Sequence, residues 1–142
     1  MNAPLYNERI LRLTTEVPDR RLAAPMATSE KRSPVCGSRV TVEVNLDASG
    51  RVGEVGMLVS ACALGQASSA LLAAHVAGRT PGELAAARDA LAAWLAGEGA
   101  MPDWPGLDVF VPALSHTARH PAIRLAFEAA AEAAAQARGT GG

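Results

Sequence analysis

Hydrophobic and polar positions alternate in the first half of the chain and recur at helical spacing in the second. Val40, Val42, Val44 and Leu46 alternate with Arg39, Thr41, Glu43 and Asn45, the pattern of a strand with one buried and one solvated face. Asp47-Ala48-Ser49-Gly50 supplies a turn, and Val55, Met57 and Val59 alternate along a returning strand that ends at Ser60-Ala61-Cys62. Upstream, Tyr6, Ile10 and Leu13 fall at i, i+4 and i+7, a short amphipathic helix that Pro18 closes. Between Glu16 and Pro34 the prolines 18, 25 and 34 and a run of basic residues (Arg20, Arg21, Lys31, Arg32, with Arg12 and Arg39 flanking) read as a loop carrying a polar edge strand at Ala27–Arg32.

Downstream, Leu64, Ala67, Ala70, Leu71 and Ala74 share a helical face up to Gly78. Thr80-Pro81-Gly82-Glu83 opens the next helix with an N-cap, a proline at the first helical position and a glutamate at the third. Leu84, Leu91, Trp94 and Leu95 face inward along it. A loop from Gly97 to Gly106 and a short apolar step at Val109-Phe110-Val111 lead to a last helix that begins at Pro121, with Ile123, Phe127 and Ala130 on one face. Arg138 to Gly142 should fray. Strands gathered early and helices late predict an α+β fold, a small antiparallel β-sheet with helices packed on one face. The length of 142 residues suits one domain spanning 1–142, with 139–142 as a frayed tail.

Composition narrows the function. The net charge is -1, and no cluster of Lys and Arg is interleaved with aromatics, so nucleic acid is not an expected partner. No window approaches about 18 uninterrupted apolar residues and no basic segment precedes an apolar one at the N-terminus, which points away from a membrane and to a cytoplasmic protein. No repeat with a period of about 20 to 50 residues occurs. The usual glycine-rich nucleotide loops, the serine-hydrolase elbow and the HExxH zinc motif are absent, so hydrolytic enzyme chemistry is not expected. Alanine is abundant and aromatics make up 4%, which predicts a thin core.

The chain has only two cysteines, and the hairpin pattern brings Cys36, just before one strand, and Cys62, just after the next, to one end of the sheet. In an intracellular setting they are thiols or metal ligands rather than a disulfide. Cys62 lies at a strand-to-helix junction, where a helix N-terminus favours a thiolate. His120, before Pro121, reads as a capping or solvated residue. His75 is expected on the surface, Ser38 and Ser115 as local hydrogen-bonding residues, and Trp94 and Trp104 as packing.

Taken in order, these segments resemble the U-type iron–sulfur cluster assembly scaffolds of the isc, suf and nif systems (IscU, SufU and the N-terminal part of NifU). The likeness runs from Tyr6-Asn7-Glu8-Arg9-Ile10 through Val35-Cys36-Gly37 and Ala61-Cys62-Ala63 to Ala67-Ser68-Ser69-Ala70-Leu71-Leu72 and Val76-Ala77-Gly78-Arg79-Thr80. The resemblance implies a scaffold that binds iron or a [2Fe-2S] cluster, or accepts sulfur for cluster biogenesis. It also implies a cysteine desulfurase as sulfur donor, apo-protein acceptors and a possible homodimer. As a family member the chain is divergent. The aspartate that usually follows Cys-Gly is replaced by Ser38. The family's third cysteine, just before the last helix, is missing, with Ser115 or His116 where it belongs. The resemblance therefore makes His116 the candidate third donor beside Cys36 and Cys62, with His120 in reserve, on iron, where imidazole can replace thiolate, or in a zinc site with one further donor. Val111-Pro112-Ala113 does not reproduce the chaperone-binding segment. Two alternatives stand beside the scaffold: a zinc-binding sulfur-transfer protein, and a non-catalytic interaction or regulatory module on the same fold.

Overall fold

The computed structural model describes residues 5–34 and 37–140. A short helix, α1 (Glu8–Thr14), precedes a three-stranded antiparallel meander of β1 (Ala27–Arg32), β2 (Arg39–Leu46) and β3 (Val52–Ser60), in spatial order β1-β2-β3. Helices α2 (Ala63–His75), α3 (Pro81–Leu95) and α4 (His120–Thr140) follow, with 3-10 segments at Leu107–Ala113 and Thr117–Arg119 before α4. This is the α+β arrangement expected. α4 is the central element, packed against β1 and β2 above and against α2 and α3 at its sides. It is lined with buried alanines (Ala126, Ala129, Ala130, Ala133, Ala134, Ala137) that let its backbone approach its neighbours closely.

The inward face of the sheet is the one the alternation marks. Val40, Val42, Val44 and Met57 are fully buried against Leu64, Leu72, Ile123 and Phe127. α3 starts on the expected capping box, with Thr80 Oγ1 accepting from the Glu83 N–H and the Glu83 carboxylate accepting from the Thr80 N–H. Trp104 is buried in the core, donates its indole N–H to the Leu71 carbonyl at 2.9 Å, and carries the Arg79 guanidinium 4.5 Å above its ring.

Five expectations change. α1 starts after Asn7, whose side chain accepts from the Ile10 N–H, so Tyr6 lies outside the helix. It ends at Thr14, well before Pro18, where the Thr14 and Thr15 hydroxyls bond the carbonyls of Leu11 and Arg12 and satisfy the last turn locally. The C-terminus stays helical through Thr140, because Ala133, Ala134 and Ala137 are still buried there. Ala74 is exposed on α2, whose buried surface instead includes Ser68, Ser69 and Leu72.

Glu43 departs furthest. The alternation puts it on the solvated face of β2, yet it is 1% exposed. The segment 19–22 crosses that face as a strap: the Met57 N–H donates to the Arg20 carbonyl at 2.9 Å, and Glu43 accepts from the Leu22 N–H at 2.8 Å and from Arg21 Nη2 at 2.7 Å. A buried carboxylate is tolerated when charge and hydrogen bonds satisfy it, and here both do. The Arg21 guanidinium and the Leu22 N–H hold the Glu43 carboxyl below its ordinary pKa. Gly56 makes the crossing possible, since a Cβ there would lie 2.9 Å from the Leu22 nitrogen and 3.1 Å from the Arg20 oxygen.

Candidate functional site

The register of the meander sets the site. Arg39 opens β2 opposite Ser60, which closes β3, so the chain enters one strand and leaves the other at the same end of the sheet. Cys36 lies outside the described residues. Its neighbours in the β1–β2 connection are defined: the Ser33 N–H donates to the Ser38 carbonyl at 2.8 Å and the Gly37 N–H to the Ser33 carbonyl at 3.1 Å, with Gly37 at φ +72°. The left-handed backbone at Gly37 is one that glycine adopts without steric cost. Pro34, Gly37, Arg32, Arg39 and Ser60 line an open depression of about 530 Å³ at this end. Ser38 is buried.

Cys62 occupies the N-cap position of α2, with extended backbone (φ −64°, ψ 170°). Its carbonyl accepts the Gln66 N–H at 2.9 Å, while its thiol makes no capping bond. The side chain is a free thiol, half-buried against the core. A cysteine at the first turn, in place of the usual serine, threonine or aspartate cap, leaves the sulfur uncommitted beside the positive end of the helix.

The start of α4 packs against this turn. The Ser68 hydroxyl donates to the Ile123 carbonyl at 2.6 Å, and a Cβ on Gly65 would meet the Ala122 oxygen at 3.3 Å. Position 122 is therefore what α4 presents to the first turn of α2, and its side chain is a buried alanine. The candidate third donors in the sequence, Ser115 and His116, lie earlier in the chain. Both are exposed in the turn between the 3-10 segments, where the His116 N–H donates to the Ala113 carbonyl and the His116 carbonyl accepts from Arg119. The signal that could have found position 122 is the glycine at 65, which marks a close approach of two backbones.

His120 is not solvated: its backbone N–H caps the 3-10 segment Thr117–Arg119 by donating to the Thr117 carbonyl. It is buried, with Nε2 2.9 Å from the Ala113 carbonyl oxygen. A carbonyl only accepts, so Nε2 is the donor in this pair. His75 is half-buried rather than on the surface, edge-on to Trp104 at the far end of α2 from Cys62. Among the described residues, no three His, Cys, Asp or Glu side chains converge as a metal cage, and no helix is long and apolar enough to cross a membrane.

No family model matches the sequence, and no curated protein does. Solved structures do. The chain is similar to a nitrogen-fixing NifU-like protein (N-terminal part) from Brucella abortus, with 38% identity over 93% of each chain and a TM-score of 0.87. It shares its fold with a protein of Fervidobacterium islandicum described as an iron–sulfur cluster assembly scaffold for the SUF system, at 16% identity over 92% of this chain and 96% of that one, TM-score 0.80. Fold, element order and sequence agree over nearly the whole length, and the chain belongs to the NifU-like, U-type iron–sulfur scaffold family.

Proposed function

We propose that this protein is an iron–sulfur cluster assembly scaffold, with Cys36 and Cys62 as its sulfur ligands and the cluster as its cargo. The observation that carries the reading is the uncommitted Cys62 thiol at the N-cap of α2, at the same end of the sheet as the connection that contains Cys36, on a chain of this family. Iron in a [2Fe-2S] unit takes thiolate or imidazole ligands to complete a tetrahedron. Two cysteines supply half of that set. His116 is proposed as the third donor because its ring is exposed and makes no hydrogen bond among the described residues, whereas Nε2 of His120 is committed to Ala113.

As a sulfur acceptor the same thiol works by exchange. The Cys62 thiolate attacks the outer sulfur of a persulfide on the donor, a new S–S bond forms, and the donor cysteine leaves as thiolate. The donor is a cysteine desulfurase, the product is passed to apo-proteins, and the protein acts in the cytoplasm.

The test is anaerobic purification followed by iron, zinc and acid-labile sulfide analysis and a visible spectrum, before and after reconstitution with iron and sulfide. Stoichiometric iron and sulfide with charge-transfer bands are expected, lost in Cys36→Ser and Cys62→Ser and weakened in His116→Ala but not in His120→Ala. Zinc without sulfide would replace cluster assembly by sulfur transfer alone. No metal under any condition would overturn the proposal and leave a binding module.

A further inference from the structure

The two edges of the sheet are treated differently by the chain. The outer edge of β3 is fastened twice: the Val52 N–H donates to the Arg79 carbonyl and its carbonyl accepts from Gly78, both at 2.8 Å, and Met57 donates to Arg20 of the strap. β1 pairs with β2 alone. The bond from Ser33 to Ser38 continues the register Lys31↔Val40, Ser29↔Val42, Ala27↔Val44, which makes these the hydrogen-bonded pairs. In an antiparallel ladder the residues between them then turn their N–H and C=O groups the other way. Thr28, Glu30 and Arg32 therefore offer a ready row of donors and acceptors along an open edge.

Edge strands are normally defended by proline, a bulge or an inward-pointing charge. β1 has no proline, and its inward lysine is tied down: Lys31 Nζ lies 2.7 Å from Glu132, which also accepts from Ser29 at 2.8 Å. Below the edge runs a groove of about 520 Å³, with Lys31 on one wall, Gly82 and Ala85 of α3 on the other, Ala131 and Ala135 of α4 as small floor residues, and the carboxylates of Glu128 and Glu132 beside Arg88 and Lys31. Arg138 lines one end. Arg124, beyond the groove lining, lies on the same row of α4, fourteen residues earlier, and its Nε is buried without a partner. Neither arginine makes an ion pair among the described residues, while Lys31, Arg32 and Arg88 are each neutralised by a carboxylate.

From this we infer that β1 and the α3–α4 groove receive an extended segment of a partner polypeptide, which adds as a fourth strand and places carboxylates at Arg124 and Arg138. The dimensions agree. Fourteen helical residues span about 21 Å at 1.5 Å each, and a seven-residue strand spans about 20 Å between its first and last side chains. Residues of such a strand that point down meet Ala131 and Ala135, so small apolar side chains fit between the acidic ends. A second copy of this chain is a poorer occupant, since continuing the sheet would set its own helical layer against α3. Cys62 does not line this surface, and the inference does not depend on cluster binding.

The probe is a fluorescein-labelled heptapeptide with aspartate at its first and last positions, valine at the third and fifth, and threonine elsewhere, all acidic and apolar side chains on one face. Fluorescence anisotropy on the full chain should show saturable binding below about 1 mM, with lysine-ended peptide at least about tenfold weaker. Glu30→Pro removes an outward N–H and leaves the β2 ladder intact, so it should abolish binding. Arg138→Glu and Ala131→Trp, on a helix, should weaken it about tenfold even if the proline variant folds poorly. Cys62→Ser should change nothing. Absence of binding, or binding indifferent to Glu30→Pro, Arg138→Glu and Ala131→Trp, would overturn the inference. A dimer in analytical ultracentrifugation that Glu30→Pro disperses would assign the edge to a second copy instead, and overturn it equally.

Discussion

Gly56→Ala tests whether the strap over the sheet depends on a bare backbone at one position. The added Cβ would sit 2.9 Å from the Leu22 nitrogen, 3.0 Å from Glu43 Oε1 and 3.1 Å from the Arg20 oxygen. Two of these three are backbone atoms on the strap, so no side-chain rotation relieves the contact and the strap must lift. Overpacking of this kind costs about 1–3 kcal/mol. The smaller unfolded-state entropy of alanine returns about 0.4–1 kcal/mol, leaving a net loss of about 1–2 kcal/mol. For a chain of this size that lowers Tm by about 3–6 °C.

Gly53→Ala is the matched control on the same strand. Its Cβ would find its nearest neighbours at 3.6 to 3.8 Å, ordinary contact distances. It should be neutral or slightly stabilising, by up to about 1 kcal/mol. Urea denaturation of both variants gives the difference, and amide hydrogen exchange locates it: Leu22 and Met57, which donate to Glu43 and Arg20, should lose protection in Gly56→Ala and keep it in Gly53→Ala. Equal destabilisation by the two substitutions, or unchanged exchange at Leu22 and Met57, would refute the steric account.

Three further outcomes follow from the same geometry. Glu43 has its folded pKa held below the ordinary glutamate value by Arg21 and Leu22, so its contribution is present above about pH 4.3 and lost as pH falls through the folded value. Glu43→Gln should therefore lower stability at pH 7 and narrow the gap from wild type in urea melts stepped toward pH 3.5, whereas a pH-independent gap would reject the charge argument. Thr80→Ala removes the hydroxyl that accepts the Glu83 N–H and should cost about 1 kcal/mol by thermal melt, with Thr80→Ser close to wild type. Ala122→Cys places a thiol where α4 meets the first turn of α2, and should raise iron and sulfide retained per chain after reconstitution, while Ala122→Ser should not.

Most of the fold is written in local signals. The strand at Ala27–Arg32, the start of β2, the turn at Asp47–Gly50 and the capping box at Thr80 each rest on a few adjacent residues whose preferences agree with the final structure. What the pattern misreads is decided at long range. Glu43 alternates as a solvated residue and becomes buried only because residues 19–22 return across the sheet. The tail from Arg138 to Thr140 has loop-like composition but continues a helix whose alanines, up to Ala137, are already fixed by α2, α3 and the sheet.

The site divides along the same line. That Cys62 ends a strand and begins a helix is legible from the switch of period at Ser60–Leu64, and the opposing of Arg39 and Ser60 follows from the hairpin. Where the last helix meets the first turn of α2 is not legible, because residue type marks only the side chains that could bind metal. His116 and Ser115 answer that question by type, while the packing of Ser68 on Ile123 and of Gly65 on Ala122 brings α4 in several residues later. Alanine carries no chemical signal in a sequence; its importance here comes from what it leaves room for. Ala122 faces Gly65 in the first turn of α2, so a thiol introduced there by Ala122→Cys distinguishes a site short of one donor from a site that works with imidazole. If Ala122→Cys raises cluster retention and makes it independent of His116→Ala, the histidine serves only while that thiol is missing. If retention still falls with His116→Ala, the imidazole is the ligand this chain uses.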